Sequence, residues 1–241
     1  MAIELGQIEA IYRYPVKSMR GEKLDAATLG WHGIEGDRRL GLRRVGERGE
    51  FPWLTASKLP DLISYTPVRR DGERGALPTH VRTPDGDELP LFGEALAAEV
   101  ERRHRAPVEM MQLKHGIFDE SSISVIAPAT IGEICRLADT GADVRRFRPN
   151  ILVRSIRDVP FEEDDWVGGV LTFGDADDSP AVAVTRRDIR CVMINLDPDG
   201  GPSNPDVLKA CVRANDNNAG VYCTVTRGGA LAVGQTVALH R

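Results

Sequence analysis

The feature that most constrains the fold of this chain is its long succession of short strand-like segments separated by Gly and Pro turns. Helical periodicity is confined to residues 93–104, 128–138 and 206–213. Regular alternation of strand and helix is missing, so a doubly wound parallel sheet is not expected. The pattern predicts a mainly β protein with small helices (α+β), built from antiparallel barrels or sandwiches. Strands are predicted at residues 6–14, 25–29, 38–43, 62–67, 77–83, 108–113, 123–126, 151–153, 167–173, 181–184, 191–196, 221–226 and 236–240.

Composition narrows the class of protein further. The 241 residues are 41% hydrophobic and 28% charged, with a net charge of -5, as in an ordinary soluble globular protein. An acidic total argues against a nucleic-acid-binding surface, although a local basic pocket can exist within it. The N-terminal residues lack the pattern of an export signal, and no stretch of eighteen apolar residues occurs. We therefore expect a cytoplasmic protein with neither a nucleic-acid nor a membrane partner.

Cys191 is the most informative single residue. It follows Arg186, Arg187 and Arg190, and it precedes an apolar run. Nearby positive charge favours a thiolate, which is both a nucleophile and a soft metal ligand. The alternative is a small buried hydrophobic residue, which is what most cysteines are. The segment is interpreted as a strand, with Cys191 on its mixed face.

The other cysteines show no such setting. Cys135 lies on the apolar stripe of a predicted helix, and Cys223 alternates with valines in a predicted strand, so both are expected in the core. Cys211 falls in the third helical stretch. Neither a Cys-x-x-Cys pair nor a zinc-like His and Cys spacing occurs, and disulfides are not expected.

Two groups near the N-terminus suit an anion. Lys17 and Ser18 follow Pro15 at the end of the first strand, where an ammonium and a hydroxyl suit a phosphate. Taken alone, solvated loop residues are the more common interpretation. Asp37 and Arg38 follow a Gly-rich turn; Asp37 can orient Arg38 toward a ligand, although a structural ion pair is the more common case.

Two further segments with possible ligands lie in the C-terminal half. Arg148 precedes Pro149 and Asn150, and proline should hold Arg148 in an extended conformation, so that Arg148 and Asn150 can hold a phosphate or a polar ring edge. The acidic residues 162–165 are interpreted as a solvated loop rather than a metal site, with Trp166 anchoring them in the core. The five histidines are scattered and complete no evident catalytic group.

Taken together, these motifs resemble the MOSC family with its N-terminal β-barrel domain, which includes the mitochondrial amidoxime-reducing component and the C-terminal domain of molybdenum cofactor sulfurase. The resemblance covers nearly the whole chain and implies an N-terminal β-barrel-like domain over residues 1–113 and a MOSC β-barrel over residues 114–241. It rests on Tyr-Pro-Val-Lys-Ser at 14–18, Gly-Asp-Arg at 36–38, Phe-Arg-Pro-Asn at 147–150, Arg-Cys at 190–191 with Asp-Pro-Asp-Gly at 197–200, and the Gly-rich segment 228–234.

The resemblance implies that Cys191 is the protein ligand to the metal of a molybdenum cofactor (Mo-molybdopterin) and the catalytic residue. The residues implied to hold the pterin and its phosphate are Lys17, Ser18, Arg38, Ser121, Arg148 and Asn150. Many relatives have cysteine where this chain has Met19, which should matter little.

The implied activity is the reduction of N-hydroxylated small molecules, such as amidoximes, hydroxylamines and N-hydroxylated bases, by removal of oxygen at molybdenum. Because the chain ends soon after its last predicted strand, electrons are expected from a separate protein: a ferredoxin, a cytochrome b5-like protein or a flavin reductase. The alternatives are a carrier of cofactor or sulfur that uses a Cys191 persulfide, and a β-barrel module that binds a phosphate ligand. We find no pyridoxal-phosphate desulfurase domain, so a carrier would receive its sulfur from elsewhere.

Overall fold

The computed structural model describes residues 2–70 and 77–241. Its α-helices are α1 (Glu94–His104), α2 (Pro128–Leu137), α3 (Val144–Phe147) and α4 (Asp206–Asn215), with 3₁₀ helices at Pro60–Ser64, Glu162–Trp166 and Val192–Asn195. The strands are β1 (Ala2–Arg13), β2 (Glu22–Leu24), β3 (Ala26–Gly30), β4 (Gly33–Ile34), β5 (Leu40–Arg44), β6 (Thr66–Val68), β7 (His80–Arg82), β8 (Glu88–Pro90), β9 (Val108–Gln112), β10 (Ile123–Ile126), β11 (Ile151–Ser155), β12 (Val170–Phe173), β13 (Ala181–Ile189), β14 (Asn218–Arg227), β15 (Gly229–Ala232) and β16 (Thr236–His240). The expected mainly β fold with small helices is confirmed.

The largest sheet is a closed barrel of seven strands in the order β11-β10-β14-β13-β12-β16-β1, with β2 added at the far edge of β1. Pairing of β1 with β11 closes it, in the register Ile8↔Val153 and Ile11↔Ile151. Only β10 and β11 run parallel within it, among the described strands. Closure leaves few free edges, which removes a template for aggregation.

The barrel interior is filled by alternate residues of its strands. Ile8, Val153, Leu171 and Val182 are essentially inaccessible to solvent, and Trp166 closes one part of the interior. Fully burying a side chain of this size stabilises a fold by about 1.5–3 kcal/mol. The prediction that Trp166 lies in the core is thus confirmed.

A second core forms where the chain between β1 and β10 folds back on itself. The pair β5–β9, the small sheet β6-β7-β8 and α1 surround Met19, Leu40, Leu62 and Tyr65. Leu196, from the C-terminal half, also packs here. The turn after β1 is therefore held between two cores, which positions Lys17 and Ser18.

A third core lies between the barrel and the helices α2 and α4. Ile134, Phe147 and Val207 pack there together with the buried Cys135 and Cys211. The expectation that Cys135 and Cys223 belong to the core is confirmed, since both are inaccessible to solvent. No helix in the described part of the chain has the length and apolarity needed to cross a bilayer.

One predicted strand is wrong in part, and a second is wrong over its whole length. Residues 62–67 begin as the 3₁₀ helix Pro60–Ser64, since Pro60 suits a first helical position, and only Thr66–Val68 is strand. Residues 191–196 form the 3₁₀ helix Val192–Asn195 because the chain turns away from the sheet after Ile189, and the Leu196 amide bonds to the carbonyl of Met193. The apolar run after Cys191 is therefore explained by a helical turn that buries Ile194.

The interpretation of residues 162–165 as a solvated loop is also wrong for two of its members. Glu162 and Glu163 are buried in the 3₁₀ helix Glu162–Trp166, and Glu163 contacts the N-terminus of α2. The Glu163 carboxylate accepts hydrogen bonds from the Ala127 amide and the Thr130 hydroxyl. It therefore caps a helix, and hydrogen bonding offsets the cost of burying it.

Candidate functional site

A basic pocket of about 230 Å³ lies where the turn after β1, the end of β13 and the segment before β11 meet. Five basic side chains and two carboxylates contribute to its wall, so an anion is favoured there. The lining residues are Lys17, Ser18, Arg38, Phe51, Thr55, Ser57, Asp119, Ser124, Arg146, Phe147, Arg148, Asp188, Ile189, Arg190, Cys191, Met193, Ile194 and Tyr222. The sequence-predicted residues Lys17, Ser18, Arg38, Arg148 and Cys191 thus share one cavity.

Lys17 and Ser18 are held tightly at the pocket wall. The Lys17 ammonium donates to Asp119 Oδ1 at 2.8 Å and to the Ile117 carbonyl at 3.2 Å, and it lies 5.2 Å from the Phe51 ring centroid. Burial lowers the pKa of Lys17, which the neighbouring Asp119 carboxylate opposes. Both residues are more than nine-tenths buried, so the common interpretation as solvated loop residues is wrong here.

Arg38 is oriented by the carboxylate that precedes it. Asp37 is fully buried and accepts hydrogen bonds from the Arg38 guanidinium and, at 2.7 Å, from the Tyr14 amide. Arg38 also donates to the Arg148 carbonyl at 3.2 Å. Asp37 therefore has both of the roles considered from the sequence. It forms a structural ion pair with Arg38, and it orients the Arg38 guanidinium, which lines the pocket.

Arg148 has the most available guanidinium in the wall. Its group lies 4.2 Å from the Tyr14 ring centroid and makes no hydrogen bond or ion pair with residues of the described chain. Burial and the nearby Arg38 charge lower the pKa of Arg148 to about 10, which still leaves it charged at neutral pH. An unpaired cation beside a cavity is a natural site for an anion.

The backbone of Arg148 differs from the expectation. Its φ of 52° and ψ of 44° are left-handed, although the following proline was expected to hold it extended. The reason is that Arg148 ends the short helix α3, where its amide bonds to the Val144 carbonyl at 3.3 Å. A left-handed residue at this position is a common way to end a helix.

Asn150 and Ser121 do not line the pocket. The Asn150 side chain accepts a hydrogen bond from the Ser124 amide at 3.2 Å and donates to the Tyr12 carbonyl at 3.3 Å, so it ties β10 to β1. The Ser121 hydroxyl donates to the Cys223 carbonyl at 2.6 Å. Their assignment to a cofactor stays a prediction.

Two further arginines are committed to the backbone. Arg190 donates to the carbonyls of Ala219 and Phe147 and pairs with Asp188 at 2.9 Å. Arg146 donates to the Leu196 carbonyl at 2.7 Å. These guanidinium groups therefore hold the turn around Cys191 and add positive charge, while few of their donors remain for a ligand.

Cys191 lies exposed at the pocket mouth, immediately before the 3₁₀ helix Val192–Asn195. Its three fellow cysteines are buried. Among the described residues it contributes the only thiol of the pocket wall. Its side chain is therefore available to a ligand, unlike that of a core cysteine.

Sequence reasoning missed a polar group deep in the pocket. Asp188 is buried, accepts a hydrogen bond from the Ser124 hydroxyl at 2.8 Å and interacts with Tyr222. Burial raises the pKa of Asp188 and that of the Tyr222 hydroxyl. No local motif signals this group, because its members come from β10, β13 and β14 and meet only in the folded barrel.

The donor set fits a cofactor that combines a phosphate with a thiophilic metal. The unpaired Arg148 and the paired Lys17 suit the phosphate. The exposed thiol of Cys191 suits a soft metal whose other ligands belong to the cofactor itself. A pterin dithiolene that carries molybdenum has this composition.

The fold resembles that of one solved structure at low identity. The YuaD protein from Bacillus subtilis is 16% identical and aligns with a TM-score of 0.56 over 100% of this chain and 97% of its own. YiiM from Geobacillus stearothermophilus is 16% identical with a TM-score of 0.39, over 50% of this chain and 55% of that protein. No curated protein sequence matches the chain.

Family models decide the assignment. The model of the MOSC N-terminal beta barrel domain matches residues 5–121, and the MOSC domain model matches residues 112–238, which is more than half of the chain. The division at residue 113 stays a prediction. The chain belongs to the MOSC domain family and carries the MOSC N-terminal β-barrel domain ahead of its MOSC domain.

Proposed function

We propose that this protein is a molybdenum-cofactor-dependent reductase of N-hydroxylated compounds. The observation that supports it most is the position of Cys191, exposed in one pocket with Lys17, Arg38 and the unpaired Arg148. A soft ligand and an anion site in one cavity are what such a cofactor needs.

Each residue has a defined role in this proposal. Cys191 Sγ ligates the metal, Arg148 and Lys17 neutralise the cofactor phosphate, and Ser18 offers a hydroxyl. Arg38 is held by Asp37 and fixes the Arg148 backbone through its carbonyl. When bound, the cofactor supplies a two-electron redox centre that removes the oxygen atom. The overall reaction takes R–NH–OH, two electrons and two protons to R–NH₂ and water.

The pocket mouth suits a substrate with an apolar portion. Phe51, Ile189 and Met193 line it; Ile189 is 67% exposed and Phe51 42%. Such side chains shield the reacting group from water and bind hydrocarbon by the hydrophobic effect. Deeper in, the Tyr222 hydroxyl keeps its proton at neutral pH, because burial raises its pKa, and it donates a hydrogen bond to Asp188, which leaves its oxygen to accept a hydrogen bond from a ligand.

In this proposal, the electrons come from a separate protein. That electron donor is a ferredoxin, a cytochrome b5-like protein or a flavin reductase. Cys191 lies at the surface, so a donor can approach the metal closely.

Metal and pterin analysis tests the proposal directly. Protein produced in a host that makes the cofactor should contain about one molybdenum and one pterin per chain, because the described pocket wall has a single thiol that can ligate the metal. Cys191→Ala should lose the molybdenum and the reductase activity with a chemically supplied reductant, while its thermal unfolding stays unchanged because the residue is exposed. Val192→Ala, a change at the exposed neighbour, is the matched control and should keep both. Full activity in Cys191→Ala would refute the assignment.

A sulfur or cofactor carrier is the second candidate, and the exposure of Cys191 favours it, since transfer to another protein needs an accessible thiol. Intact-protein mass spectrometry separates the two functions. A persulfide on Cys191 without molybdenum identifies the carrier. A phosphate-binding module would instead keep its ligand in Cys191→Ala.

A further inference from the structure

A second cavity of about 230 Å³ lies on the other side of Arg148 from the basic pocket. Its wall contains Tyr12, Tyr14, Arg20, Gly21, Lys23, Ile63, Arg145, Arg148 and Pro198. Of the residues that the structure describes, Arg148 alone lines both cavities. The two cavities are therefore neighbours that share a single cation.

The charges of the second cavity divide into two sets. Arg145 forms ion pairs with Asp143 and Asp199, and Arg20 donates to the Pro198 carbonyl at 2.9 Å. By contrast, the ammonium of Lys23 and the guanidinium of Arg148 make no hydrogen bond or ion pair within residues 2–70 and 77–241. Two cations at one cavity thus remain without a counter-charge, which favours an anion.

The Tyr14 hydroxyl is an independent indication. Tyr14 is only 3% exposed, and its hydroxyl has no hydrogen-bond partner among the described residues. A buried hydroxyl without a partner costs free energy, of the order of 1–3 kcal/mol, unless a ligand or water satisfies it. Burial raises the pKa of Tyr14, so the group remains a donor at neutral pH.

The remaining wall is apolar and aromatic. Tyr12, Ile63 and Pro198 offer flat or hydrocarbon surface to a ligand. A cavity of about 150 Å³ is enough to bind benzene in a protein. The space here therefore accommodates one aromatic ring together with a small charged substituent.

We propose that this cavity binds a single-ring aromatic ligand that carries an anionic group. The ring lies against Tyr12, Ile63 and Pro198, and the anion faces Lys23 and Arg148. This site shares Arg148 with the pocket assigned to the cofactor, so the ligand is tested on cofactor-free protein, where that guanidinium is available. Its binding there does not depend on whether the protein is a reductase.

Titration of cofactor-free protein with phenyl phosphate, followed by calorimetry, tests the site. Lys23 lines the second cavity alone, and Lys17 lines the basic pocket alone, so the two lysines form a matched pair. Lys23→Gln should weaken binding at least fivefold, since it removes one of two unpaired cations. Lys17→Gln weakens any binding of phosphate in the basic pocket, and it should change the dissociation constant of the second cavity less than twofold.

Ile189→Ala, at an exposed position that lines only the basic pocket, replaces Lys17→Gln if that variant unfolds. It should also change the dissociation constant less than twofold. Benzyl alcohol, which has the ring without the charge, should bind at least tenfold more weakly than phenyl phosphate. Equal binding by wild type and Lys23→Gln, loss of binding in a basic-pocket variant, or no saturable binding at millimolar phenyl phosphate would overturn the proposal.

Discussion

At the scale of single residues, Asp37 is the buried charge on which the pocket wall depends. It accepts from both the Tyr14 amide and the Arg38 guanidinium, and solvent does not reach it. The guanidinium of Arg38 also lies over the Tyr14 ring, 4.8 Å from the centroid. One carboxylate therefore connects the end of β1 to Arg38, one of the cations that line the pocket.

Replacing Asp37 should be costly. Asp37→Ala leaves the Tyr14 amide and Arg38 without their acceptor, and breaking a buried ion pair costs about 3–5 kcal/mol. We expect a loss of about 3 kcal/mol, at the lower end of this range, because the Arg38 guanidinium lines the pocket and can still be solvated there. Urea denaturation measures the loss.

Glu109→Ala is the control for that measurement. It breaks an exposed pair with Arg43 and should cost at most about 1 kcal/mol. Equal losses in the two variants would show that Asp37 contributes no more than a surface charge.

At the scale of elements, Glu163 joins the 3₁₀ helix Glu162–Trp166 to the N-terminus of α2. Desolvation by burial raises the pKa of Glu163 to about 7, against the lowering effect of its hydrogen bonds. The folded protein therefore holds this proton more tightly than the unfolded chain, whose glutamate has the ordinary value near 4.5.

This difference predicts a pH dependence of stability. The contribution of the Glu163 proton is fully present below about pH 4.5 and is lost as the pH rises through about 7, an effect on the order of 3 kcal/mol. In urea denaturation at several pH values, Glu163→Gln should lose less stability than wild type between pH 5 and 8.

Glu133→Gln controls for a general effect of removing a carboxylate from this region. Glu133 is paired with Arg136, which lowers its pKa, so its titration lies below that window. The stability of Glu133→Gln should follow the wild-type pH dependence from pH 5 to 8. A Glu163→Gln profile parallel to wild type would exclude the proposed linkage.

At the scale of the whole molecule, the structure depends on closing the barrel through β1. This N-terminal strand pairs with β16 on one side and β11 on the other, and both pairings shift register along it. Gly6 lies at the closure, where a Cβ would come within 2.0 Å of the Arg154 carbonyl oxygen. Its φ of 151° is also one that other residues rarely adopt.

Gly6→Ala should therefore strain the seam of the barrel. We expect a destabilisation of about 1–3 kcal/mol or more, because the neighbour that must move is backbone. Gly132→Ala is a matched control, since its Cβ would meet nothing within 4 Å on α2. That variant should stabilise the protein by about 0.4–1 kcal/mol. Thermal unfolding compares them, and an unchanged Gly6→Ala would contradict the role of this close approach.

Most strands could be predicted from sequence because their residues alternate and Gly and Pro mark their ends. The strands β10 and β16, for example, have the predicted limits. The errors fall where a tertiary contact decides the conformation. Glu163 looked like part of a solvated acidic run, and its burial depends on the amide of Ala127, which is distant in sequence. Arg148 looked extended, and its left-handed conformation depends on the helix that it ends.

By itself, the amino-acid sequence determined that this protein is mainly β, that Cys191 differs from its buried counterparts, and that cations follow several strand ends. Those features depend on local pattern and on the chemistry of side chains. Only the tertiary structure decided that Lys17, Arg38, Arg148 and Cys191 share one cavity, because barrel closure brings together segments more than a hundred residues apart. The tertiary structure also decided that Arg148 is the pocket guanidinium that remains unpaired, because the other guanidinium groups of the wall donate to carbonyls and carboxylates that only the folded chain brings near them.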